Sequence, residues 1–558
     1  MAEVITEMIL PGTYIEVRAE GLLTIGAIAT GNIGILGTAE MGNGGVQILS
    51  SFEEGRAKFG DIGTWDEEDP AATEGNLTLV RALKLIFDNG ARTVYARRVY
   101  DPKAAKPATF DIGSGITLQA KTPGAWGNRL QIRVEGAEEN HLVSNEEVLP
   151  SNGTRALSAQ GLLLLESPDA SAGNVTVREH GLVKKYQLKQ TTPSGEVVQI
   201  DPGNLRLNFA SVPTPEAEVF ASYWVAKDKL CKVTLRHGNL QEEYLVPSLT
   251  FLMQQLQQQR NPSQLVEVME NGAPGPLNLL PKLTQGFVPF SQGENGPVNM
   301  SHFQEALEDL VEQNLQMVIV AGLDFSTLKA SLLGHVEKTE NLGRERLVLL
   351  GANQSKVEKV LENANEVADK RVVLITPGIK ETDPATGRMT ALPPYFTAAA
   401  IAGKLSSQSP HISLTNKTLA GIEALDIRYN YGQLTSLLQN RVLALQTKQG
   451  VRVVKGITSD DGAFKQISIR RIVDYIKEGT RMGCNQYIGK LNNRRVRGNL
   501  FTTLDSFLSD LIVREFLTNY KLAVIADRSM EIRGEVQVIM DLQPTFSIDY
   551  IRVIMNLS

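Results

Sequence analysis

Six histidines, His141, His180, His237, His302, His335 and His411, offer the widest chemical range in this 558-residue chain. A zinc or iron site usually takes histidines or cysteines a few residues apart, so that one turn supplies two ligands. None of the six lies within four residues of another, and no H-E-x-x-H or C-x-x-C occurs. Nucleophilic hydrolysis would need a serine or cysteine with a base and an orienting group, and no G-x-S-x-G marks one. The glycines at 31, 34, 37, 42, 44 and 45 are dense. They do not form the G-x-G-x-x-G that places a pyrophosphate on a helix N-terminus. Gly403-Lys404 is followed by Leu405, so it is not a Walker A loop. The sequence nominates no catalytic residue, no metal ligand and no cofactor.

The chemistry that does stand out is electrostatic. Between Phe464 and Leu500 lie nine basic residues, Arg470, Arg471, Arg494, Arg495 and Arg497 among them, against two acidic ones, Asp474 and Glu478. From Asp61 to Glu74 the chain has six acidic residues and no basic one; Asp61, Asp66, Glu67, Glu68 and Asp69 form its dense part. Glu135 to Glu147 adds five more acids. An acidic N-terminal half and a basic C-terminal segment suit self-association through complementary patches. The competing reading is two unrelated solvated faces. Arg494-Arg495-Val496-Arg497 lacks the interleaved aromatics of a single-strand nucleic-acid platform.

Composition narrows the class. The net charge of −6 and pI near 5.8 argue against a nucleic-acid coat, which needs a basic excess. Cys231 and Cys484 cannot make a disulfide framework, so folding in a reducing compartment is expected. The opening Met1-Ala2-Glu3-Val4 lacks the basic region of a secretory signal. No run of about 18 apolar residues could cross a membrane as a helix.

The elements around these features alternate in type. Residues 1–20 read as an extended arm: Pro11-Gly12 breaks any helix, and Tyr14, Ile15 and Val17 sit in an alternating segment. Residues 21–105 form an α/β unit, with Leu79, Leu83 and Ile86 on one face of a helix that Gly90 stops. Short alternating strands then dominate an inserted β-rich domain over 106–290, of sandwich or barrel type. Residues 291–428 return to strand–helix order, including Met317–Ala321, Arg346–Gly351 and Arg371–Thr376, which implies parallel βαβ units. Residues 429–534 carry two long helices, Ile467 to about Gly479 and Leu500 to about Tyr520. Residues 535–558 close the chain with two alternating strands, Glu535–Leu542 and Ile548–Leu557, presenting Val536, Val538, Met540, Ile548, Tyr550, Ile551 and Val553. The expected fold class is α/β and α+β multidomain: mixed-sheet core domains, an inserted all-β domain and extended terminal strand arms. Terminal strands either pair within the subunit or join a neighbour's sheet, and periodicity leaves both open.

Several segments together resemble the contractile tail sheath proteins of bacteriophages and of phage-like contractile injection systems. They are Leu10–Glu16 (LPGTYIE), Pro123–Asn128 (PGAWGN), Gly293–Gly296, Ala398–Gly403 (AAAIAG), Ile469–Ile472 (IRRI) and the closing stretch from Ile532 to Leu557. Gly293–Gly296 lacks the family's double glycine and aspartate, Lys455-Gly456-Ile457-Thr458 replaces its G-x-R-T, and Phe546-Ser547 stands where Ala-Glu is usual.

The resemblance implies a structural protein without enzymatic activity. Its subunits would stack as hexameric rings around an inner tail tube and contract without nucleotide hydrolysis to drive that tube through an envelope. The N- and C-terminal arms would add strands to neighbouring subunits. Partners would be other copies of the chain, the tube protein, and baseplate and terminator proteins, with no nucleic acid and no membrane insertion. The particle would be a virion tail or an injection device assembled in a bacterial cytoplasm. The alternative from the residues alone is a monomeric α/β enzyme with a β insertion.

Overall fold

The computed structural model describes residues 28–67, 76–147, 150–151, 154–156, 162–163, 174–189, 192–195, 197–201, 206–214, 216–258, 261–270, 279–384 and 386–556. The chain forms two compact units, one built from residues up to Ala39 with 44–99 and 298 onward, the other from 40–43 and 100–297.

The first unit is organised by an eight-stranded sheet. Its strands are β1 (Ile33–Gly37), β2 (Gln47–Leu49), β3 (Val94–Arg98), β4 (Met317–Val320), β5 (Leu347–Gly351), β6 (Val372–Thr376), β7 (Leu443–Thr447) and β8 (Val451–Val453), in spatial order β2-β3-β1-β4-β5-β6-β7-β8. The six strands from β3 to β7 pair in parallel, while β2 and β8 close the two edges antiparallel. Continuous apolar runs such as MVIV and VVLIT are fully buried because helices cover both faces of a parallel sheet. Successive side chains divide between two cores: Met317, Leu347 and Val373 pack on one face, Val318, Val348 and Val372 on the other.

Two helices set the first core. Helix α1 (Leu79–Asp88) buries the expected Leu79, Leu83 and Ile86. Helix α2 (Pro394–Ser406) starts on a proline and is buried nearly all round, including the small-residue run Ala398–Gly403. Smallness here is a packing requirement, because a Cβ at Gly403 would run into the backbone carbonyl of Ile86 on α1. Arg81, wholly buried on α1, donates to Glu381 (2.5 Å), Asp383 (3.2 Å) and the carbonyl of Gly63 (2.9 Å). That pairing ties α1 to the hairpin of Ile379–Thr382 and Met389–Leu392.

The second unit is β-rich. A nine-stranded sheet runs between residues 141 and 225. A four-stranded sheet joins Gln131–Gly136, Cys231–His237, Leu240–Val246 and Val288–Pro289; a three-stranded one joins Thr109–Gly113, Ile116–Ala120 and Val266–Glu270. Two of the segments singled out in the sequence meet here. The Asn128 side chain donates to the Gly293 carbonyl (2.9 Å) and accepts from the Gly293 amide (2.8 Å), and Asn295 accepts from the Ala125 amide (3.0 Å). Between them Trp126 is fully buried with its indole N–H on the Thr122 carbonyl (3.0 Å). The P-G-A-W-G-N segment is a structural clasp.

Two sequence expectations need correction. The helix expected to run to Tyr520 spans Arg494–Val513, and Leu517–Ile525 is a strand. Glu515 takes a positive φ of 64°, which ends the helical path, although Leu517, Leu522 and Ala523 are all compatible with a helix. No strand forms from Ile548 to Asn556, the last described residue. The expected arm strand with Tyr14, Ile15 and Val17 lies outside the described residues.

Gly403→Ala should cost about 1–3 kcal/mol by overpacking the α1–α2 contact, read as a lower denaturant midpoint. A neutral result would mean that the contact tolerates a wider spacing.

Candidate assembly interface

The C-terminal region grows out of one amphipathic helix, α3 (Ile467–Asn485). Ile469, Ile472 and Ile476 recur at helical spacing and pack with Phe507, Leu508 and Leu511 of helix α4 (Arg494–Val513) and with Phe516. Gly479 is required because a Cβ there would occupy the Phe507 ring. Asn493 caps α4 by accepting from the Val496 amide (2.9 Å).

The opposite face of α3 is ionic. Arg371, with its side chain fully buried just before β6, donates to Asp474 (2.9 and 3.1 Å) and to Glu340 (2.8 Å). Arg470 donates to Asp474 (2.6 Å), and its guanidinium lies 4.1 Å from the Phe464 ring centre. Lys477 and Arg481 reach Glu345 at 2.7 and 3.0 Å. The hydrogen bond from Arg371, helped by the nearby positive charges of Arg371, Lys370 and Lys477, holds Glu340 down at about 2. This seam fixes α3 to the helix Phe325–Asn341 and to the start of β5.

Beyond α4 the chain makes a two-stranded antiparallel sheet from β9 (Leu517–Ile525) and β10 (Gln537–Pro544). The register places Val524 opposite Val538 and Leu522 opposite Met540. Met540 and Leu542 turn toward the α3–α4 cluster. Among the described residues these two strands pair only with each other, so each keeps an outer edge without a strand partner. After Pro544 the Thr545 amide donates to the Phe516 carbonyl (3.0 Å), and from there to Asn556 the chain forms no strand. Ile548, Tyr550, Ile551, Val553, Ile554 and Met555 are 71–84% exposed. Val536 is exposed at the entry to β10.

The basic residues named from the sequence separate into two classes. Arg470 and Arg471 do not belong to a surface patch. Arg470 is in the seam, and Arg471 is buried, donating to the carbonyls of Thr30 (3.1 Å) and Gln408 (3.0 Å). Arg494 and Arg495 are exposed at the start of α4, while Arg497 is half-buried and paired with Glu531 (2.9 Å). On the acidic side, Asp61 accepts from the Arg56 guanidinium (Nε at 2.7 Å) and Glu67 accepts from the Ala391 amide (2.6 Å). The Asp66 backbone is clasped by the Asn76 side chain (2.7 and 2.9 Å). Glu68 and Asp69 lie outside the described residues. Much of the charge segregation in the sequence is therefore used inside the subunit.

Among the described residues no cluster of three or more His, Cys, Asp or Glu is arranged to hold a metal ion. His335 is structural: burial, then the adjacent Arg346 guanidinium (3.1 Å), pulls its pKa down to about 3.

The seam carries a pH signature. A carboxylate with a folded pKa near 2 and an ordinary value of 4.5 adds stability that is complete above about 4.5 and fades as pH falls toward 2. Thermal unfolding midpoints should therefore drop across that window, and Glu340→Gln should flatten the slope. An unchanged slope in the variant would remove Glu340 from the seam's energetics.

Comparison with known proteins gives matches to tail sheath proteins. Residues 296–459 match the phage tail sheath protein central domain, and residues 459–558 match the phage tail sheath C-terminal domain. The tail sheath protein of Bacillus phage SP01 is 26% identical over 242 residues, covering 41% of each chain. The tail sheath protein of Mycobacterium phage Bxz1 is 26% identical over 212 residues, 35% of this chain and 36% of the relative. The aligned stretches thus span about two fifths or less of those relatives' length. The crystal structure of the sheath tail protein from Desulfitobacterium hafniense superposes with a TM-score of 0.58 at 14% identity, covering 96% of this chain and all of that one, a likeness of fold. These relatives are structural tail sheath proteins rather than enzymes. Over residues 296–558 the chain carries the central and C-terminal domains of phage tail sheath proteins, and these matches, with the curated relatives and the shared fold, support a contractile tail sheath family.

Proposed function

We propose that this chain is the subunit of a contractile sheath that polymerises as stacked hexameric rings around an inner tube and contracts without nucleotide hydrolysis. The observation that carries the reading is the pairing state of the C-terminal sheet. Two strands alone are marginal in water, and here packing on the α3–α4 cluster supports them, which leaves their outer edges available to a further strand. Among the described residues β9 and β10 keep two outer edges without a strand partner, and the segment 548–556, rich in exposed apolar side chains, pairs with no strand. A second copy supplies what each copy lacks: its terminal segment adds to the neighbour's sheet edge.

Such a contact is head-to-tail and generates a helix rather than a closed dimer. Each backbone hydrogen bond contributes about 1 kcal/mol net, so one arm holds modestly and a lattice of arms holds firmly. Contraction then needs a trapped extended lattice and a contracted one of lower free energy, with the arms keeping subunits joined while their bodies move. The exposed Arg494 and Arg495 are candidates for a contact with the inner tube or with a neighbouring sheath subunit. Baseplate and terminator proteins complete the expected partners.

Because β10 packs on its own subunit, the informative truncation removes residues 546–558 and leaves the hairpin whole. The truncated chain should remain folded by circular dichroism yet fail to form tubes in negative stain at concentrations where the intact chain does. Normal tubes from the truncated chain would contradict the proposal.

A further inference from the structure

The terminal segment is pinned at one residue. Between the exposed Ile548 and Tyr550, the Asp549 carboxylate is only 10% exposed. It accepts from Lys455 Nζ (3.0 Å), Thr415 Oγ1 (3.3 Å), Gln466 Nε2 (3.3 Å) and Ser547 Oγ (3.3 Å). The same Lys455 ammonium donates to the Tyr550 hydroxyl (3.2 Å) and sits 4.9 Å from the centre of its ring. Thr415 is itself held in place, because its hydroxyl oxygen accepts from the Gly456 amide (3.2 Å). Lys455 lies in the stretch Lys455–Thr458, where the sequence departs from the pattern it otherwise resembles.

We infer that Asp549 and Lys455 are positioning residues that fix where and in which direction the terminal arm leaves the subunit, so that the residues beyond Tyr550 are presented to a neighbour in advance. The inference deepens the sheath reading and rests on it. The physical reason is entropic. A free apolar tail loses its conformational freedom on docking, whereas a tail held at its root has already lost part of it, which favours association. One anchored carboxylate in an otherwise exposed segment fits a fixed root better than a tail folded home, since every large apolar side chain described beyond it, from Tyr550 to Met555, remains in water.

The test uses the full chain and two readouts. Trypsin cleavage after Arg552 requires Asp549 and Tyr550 to enter the protease cleft, so the anchor protects that bond in the unassembled subunit. In Asp549→Ala and in Lys455→Ala, loss of residues 553–558, followed by intact mass, should run about five- to tenfold faster. The concentration needed for tubes, followed by light scattering and microscopy, should rise by a similar factor. The charge swap Asp549→Lys with Lys455→Asp should recover part of the assembly threshold, the readout that the new trypsin site at position 549 leaves unconfounded. Unchanged cleavage would overturn the anchor. Faster cleavage with easier tube formation would make the contact a brake on assembly and overturn the positioning role. If the intact chain forms no tubes at all, the sheath reading fails, and the cleavage readout still judges the anchor separately.

Discussion

Backbone amides and carbonyls must find partners, and the C-terminal sheet of this protein supplies only half of them. β9 and β10 satisfy each other along their shared edge, and no other strand among the described residues pairs with their outer edges. The segment after Pro544 adds a run of exposed Ile, Tyr, Val and Met side chains whose burial would return roughly 25 cal/mol per Å² of apolar area. A sheet edge with no partner among the described residues and an exposed apolar terminal segment on one subunit are a reason for identical copies to associate without limit. The clustering of both features at one end of the fold fits a polymer-forming protein better than a reaction centre.

An assembly that moves as it stays joined also needs rigid bodies between its joints. The eight-stranded, mostly parallel sheet provides one, with both faces buried and its strands locked in register. The ionic seam along α3 extends that rigidity into the domain that bears the arm. Arg371, Asp474, Glu340 and Glu345 join segments more than one hundred residues apart, so a force applied at the sheet edge is passed to the central domain through charge pairs that salt screens poorly. Buried pairs of this kind contribute little net stability against an apolar alternative, yet breaking one side is costly, which suits a joint that must keep a fixed geometry.

How much of this was legible in the sequence depended on the range of the interactions. The parallel strands showed because runs such as VVLIT need no partner to be recognised as buried. Helix α1 showed because its apolar spacing is local. β9 did not, because LTNYKLAVI becomes a strand through pairing with β10 and through the turn at Glu515, neither of which has a local signature. Arg470 and Arg471 looked like surface charge for a related reason: the seam that encloses Arg470 brings in Arg371 and Glu340 from far upstream, and the carbonyl that Arg471 meets at Thr30 is 441 residues away. The alternation from Ile548 onward reads as a strand, which the described residues do not form, because periodicity carries no information about whether a pairing strand is present.

Helical reconstruction of the assembled polymer tests this account most directly. The account predicts density for residues 546–556 running as a strand along the free edge of β9 or β10 in an adjacent subunit, with Asp549 still seated on Lys455 of its own chain. Finding that segment folded against its own subunit, with both edges left open or covered by an unrelated contact, would contradict it.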